Sequence, residues 1–75
     1  MKMGTAAVAP TAYYLVFDPH WRQYLSIGYV NGWAEHRENG DRYQTPREAY
    51  AALQAAEQAY PYRSDLYVIK RDQVS

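Results

Sequence analysis

Two periods of apolar and polar residues run along this chain. Between residues 45 and 60, Ala49, Ala52, Leu53, Ala56 and Tyr60 recur at three- and four-residue spacing, the signature of one helix face turned to a core. Arg47, Gln54, Glu57 and Gln58 fall largely on the other side. Thr45 can accept a hydrogen bond from a backbone N–H of the first turn. Pro46 lacks an N–H that would be orphaned anyway, and Glu48 can reach back to the Thr45 N–H. From Glu48 to Ala59 there is no glycine, proline or β-branched residue. Pro61 disfavours the α conformation at Tyr60, so the helix is predicted to end at Ala59 or Tyr60. Its small alanines suit close packing on a sheet, and Leu53 is the one large aliphatic anchor.

On either side of this helix the period is two. Ala12 to Phe17 is aromatic and β-branched, with Tyr13, Leu15 and Phe17 on one face and Tyr14 and Val16 on the other. Both faces are apolar, which predicts a central strand. Asp18-Pro19 breaks it, and His20, Trp21 and Arg22 fall in the loop that follows. Tyr24 to Val30 reads as a second strand. Asn31-Gly32 predicts a type I′ hairpin into a polar edge strand over Trp33 to Arg37, with Tyr29 opposite Ala34, Gly28 opposite Glu35 and Ile27 opposite His36. Asn39-Gly40 predicts a second hairpin returning through Arg42-Tyr43-Gln44. Leu66 to Ile69 is apolar on both faces and predicts a last strand beside the first. The expected fold is α+β: a small antiparallel sheet of three to four or more strands with one helix packed on one face, in the order β-β-β-(β)-α-β. Residues 1–11 are expected to be a mobile tail, 12–71 one domain and 72–75 a polar end.

The chain has 75 residues, eight basic and eight acidic, and no cysteine. It is short enough to bury only roughly 60% of its unfolded surface. Without cysteine it has no disulfide or thiolate metal site, which suits a reducing cytoplasm. Zero formal charge argues against nucleic-acid backbone or an anionic membrane as the main partner. No apolar run approaches the roughly 20 residues of a membrane-spanning helix, and Ala6 to Ala9 behind Lys2 is too short for the apolar part of a signal peptide.

Catalytic patterns are hard to find. His20 and His36, with Asp18 and Glu35 near them in sequence, match no metal-ligand spacing and read as surface histidines. The four glycines form no phosphate-binding loop, and no serine is flanked as an activated nucleophile. The expectation is a protein that is not an enzyme and needs no cofactor or metal. Aromatic content is the unusual feature: nine tyrosines and two tryptophans, with six arginines against two lysines. Tyr13, Tyr29, Tyr67 and Trp33 are assigned to the core. Trp21, Tyr24, Tyr43, Tyr50, Tyr60 and Tyr62 fall at loops and helix ends, where with arginine they have the composition of binding hot spots. Trp21, Arg22, Tyr24, Arg37, Arg42 and Tyr43 are the candidate partner-binding residues, Trp21 and Arg22 foremost.

The sequence of phrases Tyr14-Leu15-Val16-Phe17, Trp33-Ala34, Thr45-Pro46-Arg47-Glu48-Ala49 and Leu66-Tyr67-Val68-Ile69 resembles the layout of small early proteins of tailed bacteriophages. The resemblance implies a protein, monomeric or weakly dimeric, that docks on a host machine. A host protein complex, bacterial RNA polymerase first, is the implied partner; an anti-CRISPR or other protein-binding inhibitor is the alternative, and an RNA or single-stranded DNA module the third reading. Tyr29-Val30-Asn31-Gly32-Trp33 lacks the aromatic–glycine signature of RNA-recognition folds.

If Leu53 anchors the helix, Leu53→Ala lowers the unfolding free energy by about 2–5 kcal/mol, measurable as a shift in denaturant midpoint.

Overall fold

A computed structural model describes residues 12–72. The expected tail, 1–11, lies outside the described residues, as do residues 73–75. Four strands form one antiparallel sheet: β1 (Ala12–Asp18), β2 (Gln23–Leu25), β3 (Trp33–Ala34) and β4 (Tyr67–Asp72), in spatial order β3-β2-β1-β4. One helix, α1 (Pro46–Ala59), lies across one face. This is the α+β architecture that the two periodicities predict. β1 is internal, as its apolar faces require. It pairs with β4 from Ala12↔Asp72 to Phe17↔Tyr67, and with β2 through Phe17↔Tyr24 and Asp18↔Gln23.

Local chemistry builds α1 as its sequence implies. The Glu48 N–H donates to Thr45 Oγ1 at 3.2 Å, Pro46 opens the helix and the last residue before Tyr60 is Ala59. The reciprocal half of the cap differs by one residue, because Glu48 Oε1 accepts from the Gln44 N–H rather than from Thr45. Ala49, Leu53 and Ala56 are buried. Against them sit Val16, Leu25, Trp33 and Leu66, with Tyr43, Tyr60 and Val68 half-buried at the margin.

The opposite face of the sheet carries Tyr13, Leu15 and Phe17 from β1 and their partners Tyr24, Tyr67, Ile69 and Arg71. Leu15 is fully buried there although no helix covers it. The cover is the segment after β3, which makes a single 3₁₀ turn (Arg37–Asn39) and lays Gly40 on the strands. A Cβ at Gly40 would stand 2.8 Å from Tyr24 Cβ and 3.1 Å from Leu15 Cδ2. Gly40 is extended (φ −75°), so close approach, not backbone freedom, is why a glycine is needed.

Four expectations are corrected. The second strand stops at Leu25 instead of reaching Val30, and it pairs Tyr24↔Ala34 and Leu25↔Trp33, not Tyr29 with Ala34. That register puts Leu25 and Trp33 side by side in the core; a tight Asn-Gly hairpin would have placed Trp33 opposite Val30. Residues 26–32 become a loop, closed by the Ser26 N–H donating to the Gly32 carbonyl at 2.9 Å. Inside it the Gly32 N–H bonds the Tyr29 carbonyl, Asn31 Oδ1 accepts from the Trp33 N–H, and only Gly32 takes positive φ (82°). The third strand likewise ends at Ala34. The Asn39-Gly40 hairpin does not form either, and Tyr43 pairs with Tyr14 of β1 through mutual N–H···O bonds of 2.8 Å. The first half of β1 has no partner from β2, and Tyr43 fills that vacancy in the ladder. Lastly, β4 starts at Tyr67 and runs to Asp72, past the predicted end at Ile69.

These contacts set apart two glycines. Gly40→Ala is expected to cost about 1–3 kcal/mol through overpacking on β2 and β1. Gly28→Ala, with nothing within 4 Å of the new Cβ, should leave the thermal midpoint unchanged or slightly raised.

Candidate functional site

The loop over residues 26–32 is held from outside as well as across its neck. The Asp41 N–H donates to the Leu25 carbonyl at 2.8 Å, Asp41 Oδ2 accepts from the Ile27 N–H at 2.8 Å, and Ser26 Oγ donates to the Asn39 carbonyl at 2.8 Å. With its backbone pinned, the loop turns large apolar side chains to water: Ile27 is 73% exposed, Tyr29 45% and Val30 fully. Beside it runs the alanine side of α1. Loop and helix enclose an open groove of about 280 Å³, walled by Ile27, Tyr29 and Val30 on one side and by Ala52, Ala55 and Ala59 on the other. Tyr60 and Gly32 close one end, where the Tyr60 hydroxyl lies so near Gly32 that no side chain fits there. No charged residue lines the groove.

A second feature lies at the β1–β2 turn. Asp18 ends β1 fully buried, and its Oδ1 accepts from the His20 N–H (2.9 Å) and the Trp21 N–H (3.3 Å). Its Oδ2 accepts from Arg63 Nη1 at 2.8 Å, while Arg63 Nη2 donates to Gln23 Oε1 at 2.9 Å. The guanidinium is enclosed by rings, 4.0 Å from the Trp33 centroid and 5.0 Å from that of Trp21. Trp21 and Tyr62 form the outer shell, 58% and 65% exposed. At the rim His20 Nε2 and Asp65 Oδ2 are 2.7 Å apart. This bond raises the His20 pKa above the ordinary 6.5; desolvation, the next effect in size, lowers it, and the charges of Asp65 and then Asp18 add smaller upward pulls.

The six candidate residues do not gather into one patch. Trp21 and Arg22 share the β1–β2 turn, with Arg22 exposed at φ 55°. Tyr24 is half-buried against Phe17 on the sheet face away from α1, its ring 4.8 Å from the phenylalanine ring. Arg42 lies on that same face, 4.5 Å over the Tyr13 ring, at the far end of β1. Arg37 is exposed in the 3₁₀ turn. Tyr43 packs at the margin of the helix-covered core, where burial and then the nearby Asp41 charge raise its phenol pKa above the usual 10.0. Two tyrosines assigned to the core, Tyr29 and Tyr67, are 45% and 47% exposed. Sequence reasoning missed Ile27, Tyr29 and Val30 as surface residues because Leu25, Ile27 and Tyr29 alternate like one face of a strand and Asn31-Gly32 reads as the turn that ends it at Val30. The mismatch between the Asn-Gly turn and the need to bury both Leu25 and Trp33 was the available signal.

The histidines stand apart, His20 with Asp65 and His36 beside Glu35. Glu35 and His36, both exposed, share with Gln23, Tyr29, Asn31 and Trp33 a depression of about 300 Å³. Among the described residues no three of His, Asp and Glu stand close enough to hold a metal ion, and no helix is long and apolar enough to cross a membrane. Searched against protein-family models, curated proteins and solved structures, the chain matches none.

The His20–Asp65 pair has a defined pH signature. Because the folded-state pKa is raised, its contribution to stability is complete below 6.5 and is lost as pH rises through the folded value. Asp65→Asn tolerates the positive φ of 65° and removes the charge. In an NMR titration it should lower the His20 midpoint, and the stability gap between the two proteins should be full below pH 6.5 and close as pH rises through the raised folded-state midpoint.

Proposed function

We propose that this chain is a small binding module that docks its apolar groove onto another protein and acts by occupying that partner's surface, without chemistry of its own. The observation that carries the reading is the loop of residues 26–32, which spends backbone hydrogen bonds to hold Ile27, Tyr29 and Val30 in water beside an uncharged alanine wall. A domain this small gains by burying such side chains, and contiguous exposed apolar surface is characteristic of interaction sites. The groove is slightly smaller than the about 300–1,000 Å³ of small-molecule sites and suits a few apolar side chains of a partner. Its lack of charge favours a protein partner over a polyanion at this surface. The phage-like layout makes a host multisubunit machine the partner class, bacterial RNA polymerase the first target and an anti-CRISPR-type inhibitor the alternative.

Ile27→Glu/Val30→Glu should fold normally, since both side chains are exposed, and lose at least tenfold in affinity for the partner. The check compares wild-type and variant baits in nuclease-treated bacterial lysate and then against purified RNA polymerase. A protein retained by the wild type and lost by the variant supports the groove. Identical retention by both baits, with loss only in Trp21→Ala/Arg22→Ala, would move the surface to the β1–β2 turn.

A further inference from the structure

The sheet face opposite α1 has a different chemistry from the groove. Across its strands runs a row of three aromatics in register, Tyr24 from β2, Phe17 from β1 and Tyr67 from β4. The Phe17 centroid is 4.8 Å from Tyr24 and 5.7 Å from Tyr67, the latter edge to face at 79°. Phe17 thus braces Tyr67, whose ring is otherwise about half exposed. The next row, Leu15 and Ile69, lies beside the Gly40 cover. In the row beyond, Tyr13 stands opposite Arg71, and the Arg42 guanidinium sits 4.5 Å over the Tyr13 ring. The strand positions of this face, Tyr13, Leu15, Phe17, Tyr24, Ala34, Tyr67, Ile69 and Arg71, include a cation and no carboxylate. Asp18 and Asp72 alternate to the other side, and Asp41, the neighbour of Arg42, accepts from the Ile27 N–H.

We propose that the part of this face left uncovered by the Gly40 segment, along β4 and at the Arg42 end of β1, binds single-stranded nucleic acid, with Tyr67 stacking on a base and Arg42 and Arg71 contacting phosphates. A half-exposed aromatic braced on a rigid sheet, with arginines at the end of the same face, is the chemistry of sequence-tolerant single-strand binding, in which every base offers a π-face. The aromatic row and the arginine row are four residues apart along β1, about 13 Å, the span of a few nucleotides. A duplex hides its base faces, and two arginines contact too few phosphates to hold one by charge alone. Zero net charge over the whole chain is compatible with such a site, because stacking supplies part of the affinity and only two arginines, Arg42 and Arg71, are asked to meet phosphates. The inference is independent of the groove and uses none of its residues.

The test is fluorescence anisotropy of the full chain with labelled oligo(U) and oligo(dT) of about twelve nucleotides, within the site sizes of single-strand binders. Two phosphate contacts predict a slope of about −1.4 in log affinity against log salt, about a sevenfold loss between about 50 and about 200 mM. Tyr67→Leu keeps an apolar contact for Phe17 but removes the π-face, and should weaken binding at least fivefold. Arg42→Ala/Arg71→Ala should weaken it further and flatten the salt dependence. Ile27→Glu/Val30→Glu must leave oligonucleotide binding unchanged, so failure here and failure of the groove are separate results. No anisotropy change, equal binding of the matching duplex, or unchanged affinity in both open-face variants would overturn the proposal. So would a protein partner that is lost with Tyr67→Leu while neither oligonucleotide binds.

Discussion

The ion pair between Asp18 and Arg63 joins parts of the chain that are 45 residues apart. Both partners are buried, and neither could stay so alone: removing one partner of such a pair typically costs about 3–5 kcal/mol, because the other charge is left stranded in low dielectric. The carboxylate is saturated from two sides. Its Oδ1 takes two backbone N–H groups of the β1–β2 turn, and its Oδ2 takes the guanidinium. One side chain therefore sets the geometry of the turn and ties it to the segment that leads from α1 into β4. Arg63 in turn fills the space between Trp33 of β3 and Trp21 of the turn. Strands β1, β2 and β3, the turn and the α1–β4 connection all meet at this guanidinium. A lysine could not replace it, since the planar fork bonds Asp18 and Gln23 together while its faces lie against indoles.

β1 is the second constraint. It is covered on both sides by quite different means, α1 over Val16 and the Gly40 segment over Leu15. A chain with a single helix cannot bury both faces of its central strand with regular structure. The long excursion between β3 and α1 supplies the missing layer, and it succeeds because Gly40 lets backbone approach β1 and β2. The same excursion carries Asp41 and Asn39, which pin the loop of residues 26–32. What covers one face thus also shapes the groove on the other side of the molecule.

The two proposed surfaces follow from this division. The helix side presents small residues and an uncharged groove, suited to apolar side chains of a protein. The side away from α1, where the Gly40 segment leaves it uncovered, presents rings braced by other rings, with arginines at one end, suited to bases and phosphates. A module with both could hold a protein and a nucleic-acid strand at once, the arrangement a regulator of a nucleic-acid machine would need. The weak charge of the whole chain then has a physical sense: neither surface relies on a long-range field.

What the sequence determined by itself was local. The capping box at Thr45, the absence of helix breakers to Ala59 and the stop at Pro61 act within one helical turn, and α1 formed where they place it. The two-sided apolarity of Ala12–Phe17 was enough to make β1 internal, and that of Leu66–Ile69 enough to bring β4 beside it. Tertiary structure decided everything that depended on competition between distant groups. Asn31-Gly32 has the composition of a tight hairpin, yet burying Leu25 and Trp33 together outweighed the turn preference and moved the register. Arg63 reads in sequence as one more exposed cation; only the arrival of Asp18, Gln23 and two indoles around it made it the centre of the fold. The candidate groove was not legible even as composition: the excess of tyrosine, tryptophan and arginine points elsewhere, since the groove is lined by aliphatic and alanine side chains with Tyr29 and Tyr60 and by no charged residue. Exposure of Ile27, Val30 and Tyr67 is set by which segments cover which face, and no local pattern encodes that.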